Sequence, residues 1–193
     1  MFSSNKYISI ILVFYFFSFN VIRAVNLNNS IPKGIDVTHI LQKMIDEDGY
    51  LKLDSGKYFI SSPLKVKKST QIIGSGTGNT IIAPLIKMDY MITSLQKDNE
   101  TSNNHKVVSG IKLQDIHLDG ANKVRSGIYF VYDSNCYFEN VRVTRTQIGF
   151  DIHGWSHTFI HCTSMYNVIG GVFGDAFNQV NFTGCFFNSF TRG

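Results

Sequence analysis

The chain has 193 residues, 44% of them hydrophobic, with 18 Lys+Arg against 14 Asp+Glu for a formal net charge of +4. That length and apolar fraction suit one domain with a sizeable core and exclude a disordered chain. There is no basic stripe of the nucleic-acid type, and three cysteines (Cys136, Cys162 and Cys185) cannot all pair, which excludes a disulfide scaffold.

Residues 1–24 have the layout of a secretory signal peptide. Lys6 precedes an apolar run from Tyr7 to Ile22, which ends in Arg23-Ala24 with a small residue at the cut. The run is interrupted by Ser9, Ser18 and Asn20 and falls short of the ~20 residues that span a bilayer. Cleavage after Ala24, secretion to the exterior, periplasm or cell surface, and no stable membrane insertion are the expectations. Residues 25–193 then form a single domain.

One helix is expected, over 36–49. Val37, Ile40, Leu41, Met44 and Ile45 fall at i, i+3, i+4, i+7 and i+8, with Asp36 as N-cap and Gly49 just past the end. Standing before the first strand, it is placed to cap an open apolar end. Strands begin at Tyr50: YLKLD, GKYFI, LKVK, TQIIGSG and NTIIAPL, punctuated by Gly56, Gly74, Gly76 and Gly78. GSGTG lacks the Lys-Ser/Thr ending and following helix of a phosphate loop, so these are corner glycines. QKDNETSNNHK (96–106) reads as a polar loop thrown out of one coil. Asn28, Asn99 and Asn181 begin N-x-S/T sequons.

Beyond it the chain repeats. Gly127, Gly149 and Gly171 are 22 residues apart, and each opens a segment with the same order of residue types; Gly193 falls on the same beat. Superposed at that period, the expected inward columns are Ile128, Phe150, Val172; Phe138, Ile160, Phe182; Val141, Thr163, Cys185; and Val143, Met165, Phe187. Between columns the alternation has period two, the strand signature. Hexapeptides LQDIHL, FENVRV, IHCTSM and FTGCFF share a bend-tolerant third position, Asp115, Asn140, Cys162 and Gly184. Stacked strands without intervening helices give an all-β parallel solenoid with coils of about 22 residues. Cys162 and Cys185, 23 apart, stand one residue out of register and read as small hydrophobes, although a bridge is sterically conceivable. Because a new coil opens at Gly193 without a cap, the domain reads as C-terminally incomplete.

The run from Gly34 to Ile82 resembles the N-terminal segment of the pectate-lyase-like superfamily, in its rhamnogalacturonase- and epimerase-like branch. The matching residues are Asp36-Val37-Thr38, Leu41-Gln42, Ser55-Gly56-Lys57-Tyr58-Phe59-Ile60, and Gly74-Ser75-Gly76 with Thr80-Ile81. The resemblance implies a right-handed parallel β-helix acting on acidic or neutral polysaccharide. It transfers no catalytic residue, because this segment carries none in the family. The family's downstream signatures (Asn-Thr-Asp, Asp-Asp, Gly-His-Gly, Arg-Ile-Lys) are absent here. Calcium enters only through the resemblance; no metal ligand set and no cofactor is legible.

Rows beside the inward columns point outward. One reads Tyr129, Asp151, Phe173, and its neighbour Val131, His153, Asp175, with Trp155 two positions on, in line with Asp133 and Phe177. Carboxylates, an imidazole and aromatics on one strip suit a sugar polymer. Asp151, His153 and Asp175 are therefore the candidate catalytic residues, and Tyr129, Trp155 and Phe173 the candidate sugar platforms. An ordinary solvated face would show the same pattern. Two chemistries fit: an Asp151–Asp175 pair at roughly 8 Å (from ~3.3 Å per residue and ~4.8 Å per coil) suits inverting hydrolysis, and a His153–carboxylate pair suits proton abstraction in a lyase or epimerase. The expected function is a secreted polysaccharide hydrolase, lyase or epimerase; the alternatives are a non-catalytic glycan-binding or adhesive solenoid and an inactive fragment of a longer enzyme. The sequence is silent on oligomeric state.

Overall fold

The computed structural model describes residues 34–94, 108–174 and 178–189. The expected signal peptide, the loop 96–106, Asn28, Asn99, Asp175, Phe177 and Gly193 lie outside the described residues.

Helix α1 (Thr38–Asp48) forms where the periodicity placed it. Val37, Leu41 and Ile45, spaced by four, are buried, whereas Ile40 is 43% exposed. The stripe is thus narrower than expected, because a step of one residue turns the side chain ~100° around the axis. Asp36 Oδ1 accepts the Thr38 N–H at 2.9 Å, and Gly49 ends the helix in the left-handed region at φ 64. Gln42 continues the sheet with its side chain: its Oε1 accepts the Lys65 N–H at 2.8 Å and its Nε2 donates to the Lys65 carbonyl at 3.0 Å. An amide thereby satisfies strand groups that a neighbouring strand would otherwise pair.

Among the described residues fourteen strands wind into one parallel solenoid of about five turns. Its first side stacks β1 (Tyr50–Lys52), β4 (Gln71–Ile73), the start of β8 (Lys112–Ser134), the start of β9 (Tyr137–Trp155), β10 (Thr158–Ile160) and β13 (Asn181–Thr183). The second stacks β2 (Gly56–Ile60), β5 (Thr80–Pro84), the middle of β8 and β9, β11 (Thr163–Asn167) and β14 (Phe186–Ser189). The third stacks β3 (Leu64–Lys65), β6 (Met88–Thr93), the later parts of β8 and β9, and β12 (Ile169–Phe173), with β7 (Val108–Ser109) paired beside it. β8 and β9 are long because each runs on through the corners of its coil, with shifts of their mutual register between Asp119 and Val124 and between Val131 and Asp133. Asp115, Asn140, His161 and Gly184 sit at one such corner with φ of 55, 49, 50 and 61. Asn140 Nδ2 donates to Asp115 Oδ1 at 2.6 Å, so the asparagine that tolerates the left-handed conformation also ties two coils together.

The coils are not of equal length, and this corrects the expected columns. Pairing steps along the first side run Tyr137↔Thr158 and Thr158↔Asn181, that is 21 and then 23 residues. The inward column is therefore Leu51, Ile72, Leu113, Phe138, Phe159, Phe182, with Phe159 rather than Ile160. Phe159 lies between parallel rings, 4.5 Å from Phe138 and 4.8 Å from Phe182, while Ile160 is only half-buried. Both residues are apolar, so alternation alone does not choose between them; ring stacking does. The bend falls on His161 instead of Cys162, and Cys162 turns inward, in register with Cys185. All three cysteines are free thiols, and burial pushes Cys162 up to about 12.

The same slip moves the third repeat. Gly171 pairs with Phe150, Val172 with Asp151 and Phe173 with Ile152, so Gly149 lies under Gly170. The glycine beat is steric. A Cβ at Gly149 would lie 2.0 Å from Ser164 Oγ and 2.5 Å from the Gly170 carbonyl, and one at Gly127 would lie 2.3 Å from Val143.

Candidate functional site

The candidate strip lies on the outer surface of the third side, where β8 and β9 run in register. Tyr129 pairs with Asp151 and Val131 with His153, as the outward rows required. Residues two apart on a strand share a face, and here that brings two functional groups into contact. Asp151 Oδ1 lies 2.9 Å from His153 Nε2. The other carboxylate oxygen, Oδ2, accepts a hydrogen bond from Ser126 Oγ at 2.9 Å, from the coil below. The Asp151 side chain is 4% exposed and that of His153 22%. The carboxylate is thus an interior anchor, and the imidazole is the group that reaches solvent.

Against an ionised carboxylate, which only accepts, a neutral His153 ring would carry its hydrogen on Nε2 and leave Nδ1 as the basic nitrogen. Nδ1 faces the next coil at Gly174, where a Cβ would lie 3.3 Å from both Nδ1 and Cε1. A larger residue there would crowd that edge of the ring.

Two tyrosines flank the pair. Tyr90, on β6, and Tyr129 stack with ring centroids 4.2 Å apart and planes 8° apart, and their hydroxyls interact. Tyr129 also meets the His153 ring edge-on at 6.2 Å. Burial raises both phenol pKa values; the neighbouring Tyr90 and the Asp151 charge add to this at Tyr129, and Arg125 opposes it. Both phenols are therefore protonated donors at neutral pH. With Tyr90 on one face, Tyr129 has at most one ring face to offer a sugar.

Beside the tyrosines, Lys87, Asp89, Asn122, Lys123, Arg125 and Gln147 line an open cavity of about 410 Å³. Three cations against one carboxylate make it electropositive. Arg125, whose charge also acts on Tyr90 and Tyr129, joins the cavity to the candidate strip.

The other expected site residues fare unevenly. Phe173 is not on the outer row: it pairs with Ile152 and packs against Phe159, Phe182 and Phe187, so Val172 takes the position above Asp151. The one-residue shorter coil is the reason. Trp155 stands over Ser134 and bridges to Asn178, out of line with Asp133, because a bulge at Tyr132 (φ 57) shifts the register of β8. Asp175 lies outside the described residues. Asp133 is no surface group: it is fully buried, accepts Ser94 Oγ at 2.7 Å, and burial pushes its carboxyl up to about 8. Sequence reasoning missed Ser126, Tyr90 and Arg125. Only Ser126 left a signal, since it precedes a repeat glycine as Ile148 precedes Gly149. Tyr90 belongs to a coil without that glycine.

Among the described residues no three His, Cys, Asp or Glu side chains converge to hold a metal ion.

The sequence matches no protein-family model and no characterised protein sequence. Solved structures do resemble the fold. The A-module of mannuronan C-5 epimerase AlgE4 from Azotobacter vinelandii superposes with a TM-score of 0.65 at 20% identity, over 78% of this chain and 46% of that one. The AlgE6 A-module from the same organism gives 0.61 at 17%, over 78% and 52%. ORF18 of Geobacillus virus E2 gives 0.65 at 17%, over 79% and 34%. The chain spans about half the length of these structures or less, and the fold it shares with them is a right-handed parallel β-helix.

Proposed function

We propose that this protein modifies an acidic polysaccharide by taking a proton from a sugar carbon, with His153 as the base and Asp151 as its anchor. The observation that carries the reading is the Ser126–Asp151–His153 relay on the outer face. A carboxylate buried beneath the surface and engaged by two donors is poorly placed to touch a sugar itself. It is well placed to orient an imidazole and to stabilise the imidazolium that forms when Nδ1 takes a proton. Asp151 is on this view a positioning residue, and His153 the catalytic one.

Imidazole removes a carbon-bound proton only where the resulting carbanion is delocalised. Next to a carboxylate that condition is met: the C–H bond breaks, its electron pair enters the carboxyl group, and the proton goes to Nδ1. Return of a proton to the opposite face inverts the carbon, whereas expulsion of the neighbouring glycosidic oxygen gives an unsaturated end. Both outcomes need a uronate, and the Lys87–Lys123–Arg125 cavity supplies positive charge for one. Protonated Tyr129, edge-on to His153, would be the donor for the return step. That AlgE4 and AlgE6 are named mannuronan C-5 epimerases agrees with this choice of carbon acid and makes polymannuronate the first substrate to try.

The test is incubation with polymannuronate and other polyuronates in deuterated water. Deuterium at the carbon beside the carboxylate, or a new double bond at that carbon, supports proton abstraction. New reducing ends with neither deuterium nor a double bond would mean hydrolysis, and binding without turnover an adhesive solenoid; either sinks the proposal.

A further inference from the structure

A second constellation stands on the solenoid's second side, away from the Asp151 strip. Pairing stacks Lys57, Ile81, His117, Arg142 and Thr163 in one outward row, with Asp119 and Thr144 paired beside it. Asp119, 5% exposed, takes the Arg145 guanidinium on both oxygens, with Nε 2.7 Å from Oδ1, and Lys57 Nζ stands 3.9 Å from Oδ2. His117 Nε2 meets Thr144 Oγ1 at 2.9 Å. Lys57 and Arg145 thus share a single carboxylate, Asp119, which is already committed to Arg145, and Arg142 stands beside His117 in the next coil. Arg142 Nε is buried and has no acceptor among the described residues. A buried charged donor left without an acceptor is costly, and the natural remedy is an anion.

We propose that Lys57, His117 and Arg142 form an oxyanion-binding site for a carboxylate or sulfate group, with Arg142 as the principal ligand. The groups facing His117 agree with uncompensated positive charge. Burial depresses its pKa first; Asp119 opposes that, and Arg142, Arg145 and Lys57 add to the depression. An anion seated between Arg142 and Lys57 must therefore raise the His117 pKa, whereas a merely structural histidine would not respond to it. The site lies on a different side from the reactive strip, so it stands whether or not the proposed chemistry does.

The experiment is an NMR titration of the His117 imidazole in the intact chain, with sodium sulfate, glucuronate and an oligouronide, the sodium concentration held constant with chloride. Saturable shifts, a His117 pKa that rises on saturation, and at least a ten-fold loss of affinity in Arg142→Gln with unchanged circular dichroism are expected. Asp151→Asn should leave this binding intact, which separates it from the catalytic reading. Equal affinity for the three anions identifies a free-oxyanion site, and a ten-fold preference for the oligouronide an acidic-polymer site; both uphold the assignment. Absence of saturation below about 0.1 M, or unchanged affinity in Arg142→Gln, overturns it.

Discussion

Asp151 and His153 are two residues apart on β9, and their side chains meet at 2.9 Å on the outer face while Phe150 and Ile152 between and beside them are fully buried. The strand alternation that builds the core also brings this carboxylate and imidazole together. In Asp151→Asn the amide can turn its oxygen toward Ser126 and its NH2 toward Nε2, which drives the ring to the wrong tautomer. A loss of roughly 10²–10⁴-fold in kcat is expected, with little change in KM. Ser126→Ala should cost about ten-fold, the equivalent of one orienting hydrogen bond. Steady-state kinetics of both variants on the polymer that exchanges deuterium checks this, and equal activity of Asp151→Asn and the parent would remove Asp151 from the site.

Charge in the cavity beside Tyr90 should govern substrate affinity rather than chemistry. Arg125→Gln is expected to raise KM for a polyuronate several-fold and to weaken its dependence on salt, with kcat nearly unchanged. A titration of KM between low and physiological ionic strength is the measurement.

Core register has its own test. Phe159→Ala should destabilise the fold by about 3–5 kcal/mol, because it removes a ring stacked on both faces. Ile160→Asp should be tolerated far better, since Ile160 is only half-buried. Thermal melts of the two variants, compared with the parent, decide between the registers.

Two buried groups predict an unusual pH profile. Asp133, raised to about 8, keeps in the folded state a proton that the unfolded chain releases near 3.8, so stability falls as pH rises through that range. His157, pushed down to about 4 by burial, is neutral when folded, whereas the unfolded chain binds a proton below 6.5; its contribution falls as pH drops. The two slopes cancel between about 4 and 6.5, leaving a decline of about 1.4 kcal/mol per pH unit from there to about 8. Asp133→Asn should flatten that decline. Denaturant unfolding at half-unit pH steps checks both signs.

Export is expected to remove residues 1–24. Intact mass of the protein recovered outside the cell should begin at Val25, and retention of Met1 on that material would overturn the signal-peptide reading.

Much of the fold was legible. The helix stripe of Val37, Leu41 and Ile45 and the glycine-led repeats pointed to a capped solenoid, because burial imposes periods of 3.6 and 2 on the residues themselves. The shared face of Asp151 and His153 was legible for the same reason, as outward positions on a strand whose inward positions are Phe150 and Ile152. Phe173 was misplaced because a repeat seen in sequence averages over coils of 21, 23 and 25 residues, and a slip of one residue exchanges the two faces of a strand.

What the sequence by itself determined is the parallel solenoid, its helical cap, and the placing of Asp151 and His153 on one face, since each follows from local periodicity. What only the tertiary structure decided is which residues from other coils reach them. Ser126 and Tyr129 arrive from the coil below, and Tyr90 from beyond an insertion. The burial of Asp133 was decided there too. Contacts across coils depend on coil length, and coil length is set where corners turn and loops leave the stack, at positions whose side chains carry no period.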